Sequence, residues 1–187
     1  MFVDYLTLML VNLVAGLVLL AVFLVFFIDN DQKRLAPGFL VTGFLSTVTG
    51  LHLTLTWPLP GANNIPIGEM SLFFGVLFLV AGLALIFEWD LMGIAIVAAF
   101  AGLAAVVLGI RYINLGMSQS PLLSGLGFIV AGVGGILTVP AYFLRENRII
   151  RIVVAIVLLV AAAIWALTGY GAYWSHLEGF SGYSPMG

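Results

Sequence analysis

The sequence has no cysteine and very little charge. Only 7% of its 187 residues are charged, against about 25% in an ordinary soluble domain. Without cysteine the chain forms no disulfide, and it has no thiolate to bind a metal or to act as a nucleophile. The net charge of -2 gives no basic surface, so we expect no nucleic-acid partner.

Motifs of enzymes and metalloproteins are also missing. The sequence contains no HExxH pair, no phosphate-binding loop and no Ser, His and Asp order with supporting turns. Its two histidines, His52 and His176, have no ligand partner at helical spacing. We therefore expect no enzymatic activity, no catalytic residue, no metal and no cofactor; a haem or metal held by the two histidines is the alternative.

Apolar residues are what the chain has in excess. They make up 63% of it, with a mean hydropathy of +1.24, whereas soluble domains are about 45 to 50% apolar. Such a chain could not cover a water-facing surface, and the pattern predicts an all-α integral membrane protein, since strands of a barrel would alternate. Cutting the sequence at charges and turn residues predicts six transmembrane helices in a single domain, 1–187: residues 5–28, 37–57, 67–87, 91–113, 122–144 and 149–170.

The basic residues predict an orientation. Lys33 and Arg34 lie in the first connector, and the fifth connector and its flank contain Arg145, Arg148 and Arg151. Odd-numbered connectors share one side of the membrane, and the positive-inside rule makes that side cytoplasmic. We therefore expect a multi-pass protein of the plasma membrane with both termini outside, partnered by the lipid bilayer. Arg111 is the exception to the charge pattern.

Small residues recur at helical spacing. The segments GFLVTG (38–43) and GFIVAG (127–132) are similar and open oppositely directed spans, as in an inverted repeat; compositional coincidence is the favoured explanation. Stripes such as Ala101, Ala105 and Gly109 let helices approach closely. They indicate packing within the chain or between subunits, in a homo-oligomer or a larger membrane complex.

A polar stripe follows span two. Thr42, Ser46, Thr49, His52 and Thr56 fall on one side of a helix. Polar groups inside a membrane need partners, so the stripe predicts an outward-facing pocket in which His52 titrates or binds a solute. The alternative is that His52 donates one hydrogen bond to a neighbouring helix and that the threonines bond to their own backbone.

Other polar residues are expected at the same outer end. Glu69 opens span three and Arg111 closes span four, so the two charges could meet; two separate interfacial charges are the alternative. Asn12 lies within span one, and Asn63 and Asn64 lie in the second connector. The candidate solute-binding residues are His52, Thr49, Thr56, Asn63, Asn64, Glu69, Arg111 and Asn12.

Several segments resemble a family of small prokaryotic integral membrane proteins known as a domain of unknown function. They are HLTLTWPLPGANNIPIGE (52–69), SLFFGVLFLVAGLAL (71–85), AAFAGLAAVVLGIRYINLG (98–116) and PLLSGLGFIVAGVGG (121–135). The resemblance implies six helices and no stated activity. DNDQKRLAPGF (29–39) and FFGVLFLVAGLALIFEWD (73–90) are similar in character to the urea and amide channel family. That likeness implies a pore lined by acidic and aromatic residues, but span six contains no carboxylate.

Two functions fit these observations. In the first, the protein binds or passes a small polar solute through an outward-facing cavity lined by span two. In the second, it is an accessory or scaffolding subunit of a larger membrane complex, without transport or catalytic activity of its own. We favour the first because the polar groups are expected on one side.

Overall fold

A computed structural model describes residues 5–182, and the fold in this range is all-helical without β-strands. Its α-helices are α1 (Leu6–Val22), α2 (Ala36–Thr56), α3 (Met70–Phe87), α4 (Met92–Leu115), α5 (Pro121–Ile136), α6 (Thr138–Phe143) and α7 (Arg148–Gly179). Phe23–Phe27 and Ile65–Glu69 are π-helical, and Gln32–Leu35 and Gly61–Asn63 are 3-10 turns.

Six helical segments of the described residues are long and apolar enough to cross a membrane. They are Leu6–Phe27, Gln32–Thr56, Gly61–Phe87, Met92–Leu115, Pro121–Phe143 and Arg148–Gly179. The six predicted spans are therefore confirmed as helices. The sixth extends to Gly179 instead of ending near residue 170, so the helix also includes the polar and aromatic segment that follows the apolar run.

Local sequence explains most helix ends. Helix α2 stops at Trp57, which has a φ of 50° and precedes Pro58, and α4 stops at Gly116, with a φ of 63°. Asn147 begins α7, because its side-chain oxygen accepts from the backbone N–H of Ile149 at 3.0 Å. The fifth span is divided at Leu137, since Pro140 has no N–H to bond the carbonyl of Ile136.

Glycines join the helices into close pairs. A Cβ atom on Gly43 of α2 would clash with the backbone of Leu79 on α3. One on Gly109 of α4 would lie 2.6 Å from the carbonyl oxygen of Gly125 on α5. Helices α1 and α7 form the third close pair. Gly109, from the stripe of α4, thus packs helices within the chain, which is one of the two uses expected for the small residues.

Polar contacts divide the connectors between the two ends of the bundle. The Lys33 ammonium lies 2.6 Å from the Glu88 carboxylate, and Arg151 lies 2.6 Å from Asp29. Tyr142 donates to the Asp90 carboxylate at 2.7 Å. The first, third and fifth connectors therefore meet at one end, here called the basic end.

At the opposite end, the second connector meets the end of α4. The Tyr112 hydroxyl donates to the Asn63 side-chain oxygen at 3.2 Å. The Thr7 hydroxyl also lies 3.4 Å from Nδ1 of His176, near the two chain termini. We call this the amide end, after Asn63 and Asn64.

A candidate ligand cavity

The helix pairs surround a cavity of about 420 Å³, within the usual size range of ligand pockets. Helices α1, α3 and α4 supply most of its wall, with α5 and α7 completing it. The wall includes Leu10, Leu13 and Leu17 of α1 and Phe74, Leu77 and Phe78 of α3. Its apolar wall and its place between the helix pairs make this cavity the best candidate for a ligand site.

Small side chains on α4 create the space. Gly102 and Gly109 pack on α5, while Ala98, Ala101 and Ala105 line the cavity. On α3, Phe74 and Phe78 stack with ring centroids 4.1 Å apart, and a Cβ atom on Gly16 of α1 would clash with the Phe74 ring. Helices α3 and α4 contact each other only sparsely, so the short alanine side chains leave space beside α4.

Helices α3 and α4 are linked at both ends and contact each other less than the close pairs do. At the basic end they are joined by the short turn of residues 88–91, and at the amide end Tyr112 bonds to Asn63. Phe73 of α3 lines the cavity and is also 45% exposed on the outer surface. Phe73 thus places the cavity next to the outer surface at this point of α3, which we call the window.

The cavity is nearly as long as a bilayer is thick. Its wall on α4 runs from Ile94 to Tyr112, which corresponds to about 27 Å at 1.5 Å per residue. The hydrocarbon core of a bilayer is about 30 Å thick. An elongated molecule lying parallel to the helices would fit this shape better than a compact one.

The wall of the cavity is uncharged. Among the described residues, no Asp, Glu, Lys, Arg or His lines it. Its few polar groups gather largely toward the amide end, where Ser118 and Ser124 place their hydroxyl oxygens 3.1 Å apart. Tyr112, Trp165 and Thr168 lie on the wall in the same half of the molecule.

Asn12 connects two helices. Its side-chain amide is buried and donates to the Thr42 carbonyl oxygen and to the Ser46 hydroxyl, both at 2.8 Å. This amide therefore has partners on α2 and fastens α1 to it.

The polar stripe of α2 contains threonines that bond to their own backbone and, at its end, side chains that are exposed. Thr49 donates to the Leu45 carbonyl at 2.8 Å, and Thr56 donates to the His52 carbonyl at 2.7 Å. These are the backbone bonds that the alternative interpretation predicts. His52 and Thr56 are exposed, and the His52 ring packs edge-on against Tyr5 at 5.5 Å.

The two asparagines of the second connector organise that loop. Asn64 is fully buried; its oxygen accepts from the Leu59 N–H at 2.9 Å and its nitrogen donates to the Leu59 carbonyl at 2.7 Å. Asn63 donates to the Pro60 carbonyl at 3.2 Å and accepts from Tyr112. Both amides thus hold the loop in place at the amide end.

Glu69 and Arg111 do not pair. Within residues 5–182, the ion pairs present involve Lys33, Arg34 and Arg151, and Arg111 is exposed while Glu69 is half-buried. Separate charges at the edge of the membrane, the alternative considered above, agree with this geometry.

None of the eight candidate residues lines the cavity in the described part of the chain. Sequence reasoning missed the residues that do, chiefly Trp165, Ser118, Ser124 and Phe73. The available signal was the alanine series of α4, which was interpreted as a packing surface. One face of that helix packs on α5, and the other leaves space.

A comparison with models of protein families places the chain in one of them. A family model described as "Protein of unknown function (DUF981)" matches residues 1–179. The chain belongs to this family. The expected membership of an uncharacterised family is thereby confirmed, whereas the likeness to urea and amide channels is not shown. No curated protein and no solved structure matches the chain.

Proposed function

We propose that this protein binds an elongated, mostly apolar molecule drawn from the surrounding bilayer. The observation that carries the proposal is the uncharged cavity, which is nearly as long as the bilayer is thick and lies next to the outer surface at Phe73. A molecule already dissolved in the membrane could enter through the window without crossing water.

The size of the cavity argues that something fills it. Protein interiors are close-packed, because an apolar wall that is left bare loses its van der Waals contacts. Water is a poor filler, because each buried water needs two to four polar partners and most of this wall is apolar. An apolar molecule needs no polar partner and can contact this wall directly.

We further propose a multi-pass location in the plasma membrane with the basic end in the cytoplasm. The five basic residues Lys33, Arg34, Arg145, Arg148 and Arg151 belong to connectors that meet at that end. The positive-inside rule supports this orientation.

A filling substitution tests the proposed function. Ala101→Trp should occupy the space between α3 and α4, whereas Leu103→Trp adds a ring on the exposed side of the same helix. Both variants and the parent protein would be purified in a mild detergent, and co-purifying apolar molecules would be identified by native mass spectrometry. We expect a bound molecule in the parent and in Leu103→Trp, and its loss in Ala101→Trp. Equal retention in all three proteins would refute binding in the cavity.

A small polar solute near α2 is a second candidate. The observation that favours it is the exposure of His52 and Thr56, whose side chains lie 3.5 Å apart near the amide end. This hypothesis predicts that Thr49→Leu or His52→Leu abolishes flux of urea, amides or ammonia into proteoliposomes. Unchanged flux in both variants would exclude it.

The accessory-subunit role also stays a proposal. Helix α7 extends beyond the predicted sixth span, and its end exposes Trp174 and Leu177. These side chains could contact another membrane subunit. Purification under native conditions as a single species without a partner would remove this alternative.

A further inference from the structure

The wall of the cavity also limits the chemistry of the molecule it holds, if the proposed function is correct. We infer that the ligand is an uncharged amphiphile whose carbonyl oxygen lies near Trp165 and the Ser118–Ser124 pair. Its apolar tail would extend between α3 and α4 toward the basic end.

The first step is the absence of charge. A phosphate or carboxylate head is stable inside a protein only when a cation or several donors neutralise it. No basic side chain lines the cavity within residues 5–182. The cavity should therefore discriminate against ionised lipid heads, although its apolar part would accept many kinds of tail.

The second step is Trp165, a donor without a partner. Its side chain lines the cavity and is only 4% exposed, and Nε1 has no hydrogen-bond partner in the described chain. Buried indole N–H groups usually find an acceptor, and leaving one unpaired is unfavourable. A ligand oxygen beside Trp165 would satisfy this group.

Packing holds the indole in place. Its ring meets Phe128 edge-on, with centroids 5.0 Å apart, and a Cβ atom on Gly127 would lie 2.8 Å from the indole ring. The glycine therefore makes room for the indole against α5. The ring is therefore held at the wall of the cavity, and a ligand oxygen that bonds Nε1 has to displace the side chains that cover it.

The third step is the serine pair. Ser118 and Ser124 lie 3.1 Å apart and share one hydrogen bond, in which one hydroxyl donates to the other. The accepting hydroxyl keeps its own hydrogen and can donate it elsewhere. The same half of the cavity thus offers a serine O–H and an indole N–H. Two donors suit an acceptor such as the carbonyl of a ketone, ester or quinone.

The remaining wall suits the tail. From Ala105 to Ile94, α4 contributes Ala105, Ala101 and Ala98 to the cavity without a polar side chain, over about 16 Å at 1.5 Å per residue. Phe74, Leu77 and Phe78 of α3 add further apolar wall. A single flexible chain could lie along this apolar strip.

Three probes of equal chain length test the inference: a long-chain methyl ketone, the corresponding carboxylate and the alkane, each with a photoreactive diazirine in the tail. They would be added to the protein in nanodiscs, cross-linked by light and quantified by mass spectrometry of peptides. We expect the ketone to label the wall of the cavity more strongly than the carboxylate or the alkane.

Trp165→Phe keeps an aromatic ring but removes the donor. It should weaken ketone labelling about five- to tenfold, the loss expected for one hydrogen bond, and leave alkane labelling unchanged. Ser124→Ala should act in the same direction. The control is Trp174→Phe, because Trp174 is 81% exposed, and it should change neither signal. Each variant must elute as a single monodisperse species.

The outcomes separate the two proposals. Equal labelling by all three probes, or ketone labelling that Trp165→Phe and Ser124→Ala leave unchanged, would overturn the inference about the head. The cavity would then still be a binding site if Ala101→Trp abolishes labelling by every probe. If Ala101→Trp changes no labelling, binding in the cavity itself is refuted.

Discussion

Single polar residues inside the bundle show what a sequence can and cannot say about a membrane protein. Asn12 and Thr49 were expected to need partners, and both have them, but the partners are protein atoms. A polar side chain in hydrocarbon requires a hydrogen bond and does not reveal whether a helix or a solute supplies it. Trp165 could not be recognised from the sequence, because its missing partner is a property of three-dimensional packing.

The amide of Asn12 should be important for stability. Asn12→Leu removes two hydrogen bonds between α1 and α2 and leaves the Ser46 hydroxyl without its donor. We expect the free energy of unfolding to fall by about 1 to 3 kcal/mol, the cost of an unsatisfied buried group. Denaturation of the detergent-solubilised protein measures this loss. Asn114→Leu serves as the control because Asn114 is exposed, and an equal effect of both substitutions would contradict the interhelical role.

Whole helices were easier to predict than their ends. Long apolar runs separated by charges specify the spans, because a backbone in lipid must satisfy its own hydrogen bonds. The end of α7 at Gly179 and the division of the fifth span at Leu137 were missed. The end of α7 was missed because the helix continues where hydrophobicity falls. The division at Leu137 was missed because it depends on one proline, whose effect varies with its surroundings.

The contact between α2 and α3 depends on their glycines. Gly43→Leu would push a side chain into the backbone at Leu79 and separate the two helices. Overpacking of this kind typically costs about 1 to 3 kcal/mol, so we expect a lower midpoint of thermal unfolding. Gly93→Leu is the matched control, since a Cβ atom on Gly93 meets no other atom within 4 Å. Equal midpoints for the two variants would show that the close approach does not contribute.

On the scale of the whole molecule, the pairing of connectors was predictable but the cavity was not. Alternation of spans places the odd connectors together, and the contacts of Lys33 with Glu88 and of Tyr142 with Asp90 agree with that arrangement. The cavity depends on the way in which the three helix pairs, α2 with α3, α4 with α5 and α1 with α7, are arranged around it. The sequence shows small residues on α4, but it does not show which of them face a neighbour and which face space.

Acid should slightly reduce the stability of the contacts at the basic end. The Lys33 hydrogen bond and its positive charge lower the pKa of Glu88, and the hydrogen bonds from Tyr142 and Met92 lower the pKa of Asp90. A carboxyl group whose pKa is lower in the folded protein stabilises the fold at a pH above its pKa in the unfolded chain, about 4. That stability is lost as the pH falls through the folded pKa. We expect a constant unfolding midpoint from about pH 6 to 8 and a small decrease below about pH 4. Glu88→Gln should reduce the decrease, and an unaltered decrease would argue against this pair.

Orientation can be measured directly because the native chain has no cysteine. Ala62→Cys lies in an exposed connector at the amide end, and Glu146→Cys lies in an exposed connector at the basic end. In intact cells a membrane-impermeant maleimide should modify Ala62→Cys, whereas Glu146→Cys should react only after lysis. The opposite pattern would invert the proposed topology.

The sparse contact between α3 and α4 gives the molecule one compliant boundary. Where glycines bring backbones together, as at Gly43 and Gly109, even a small separation sacrifices van der Waals contact along the whole length of the helices. At this boundary, long side chains that line the cavity, such as Leu77, can instead change rotamer while the backbones stay nearly fixed. Lateral compression from neighbouring lipids would therefore first change the distance between α3 and α4. The closely packed pairs, α2 with α3 and α4 with α5, would move as rigid bodies.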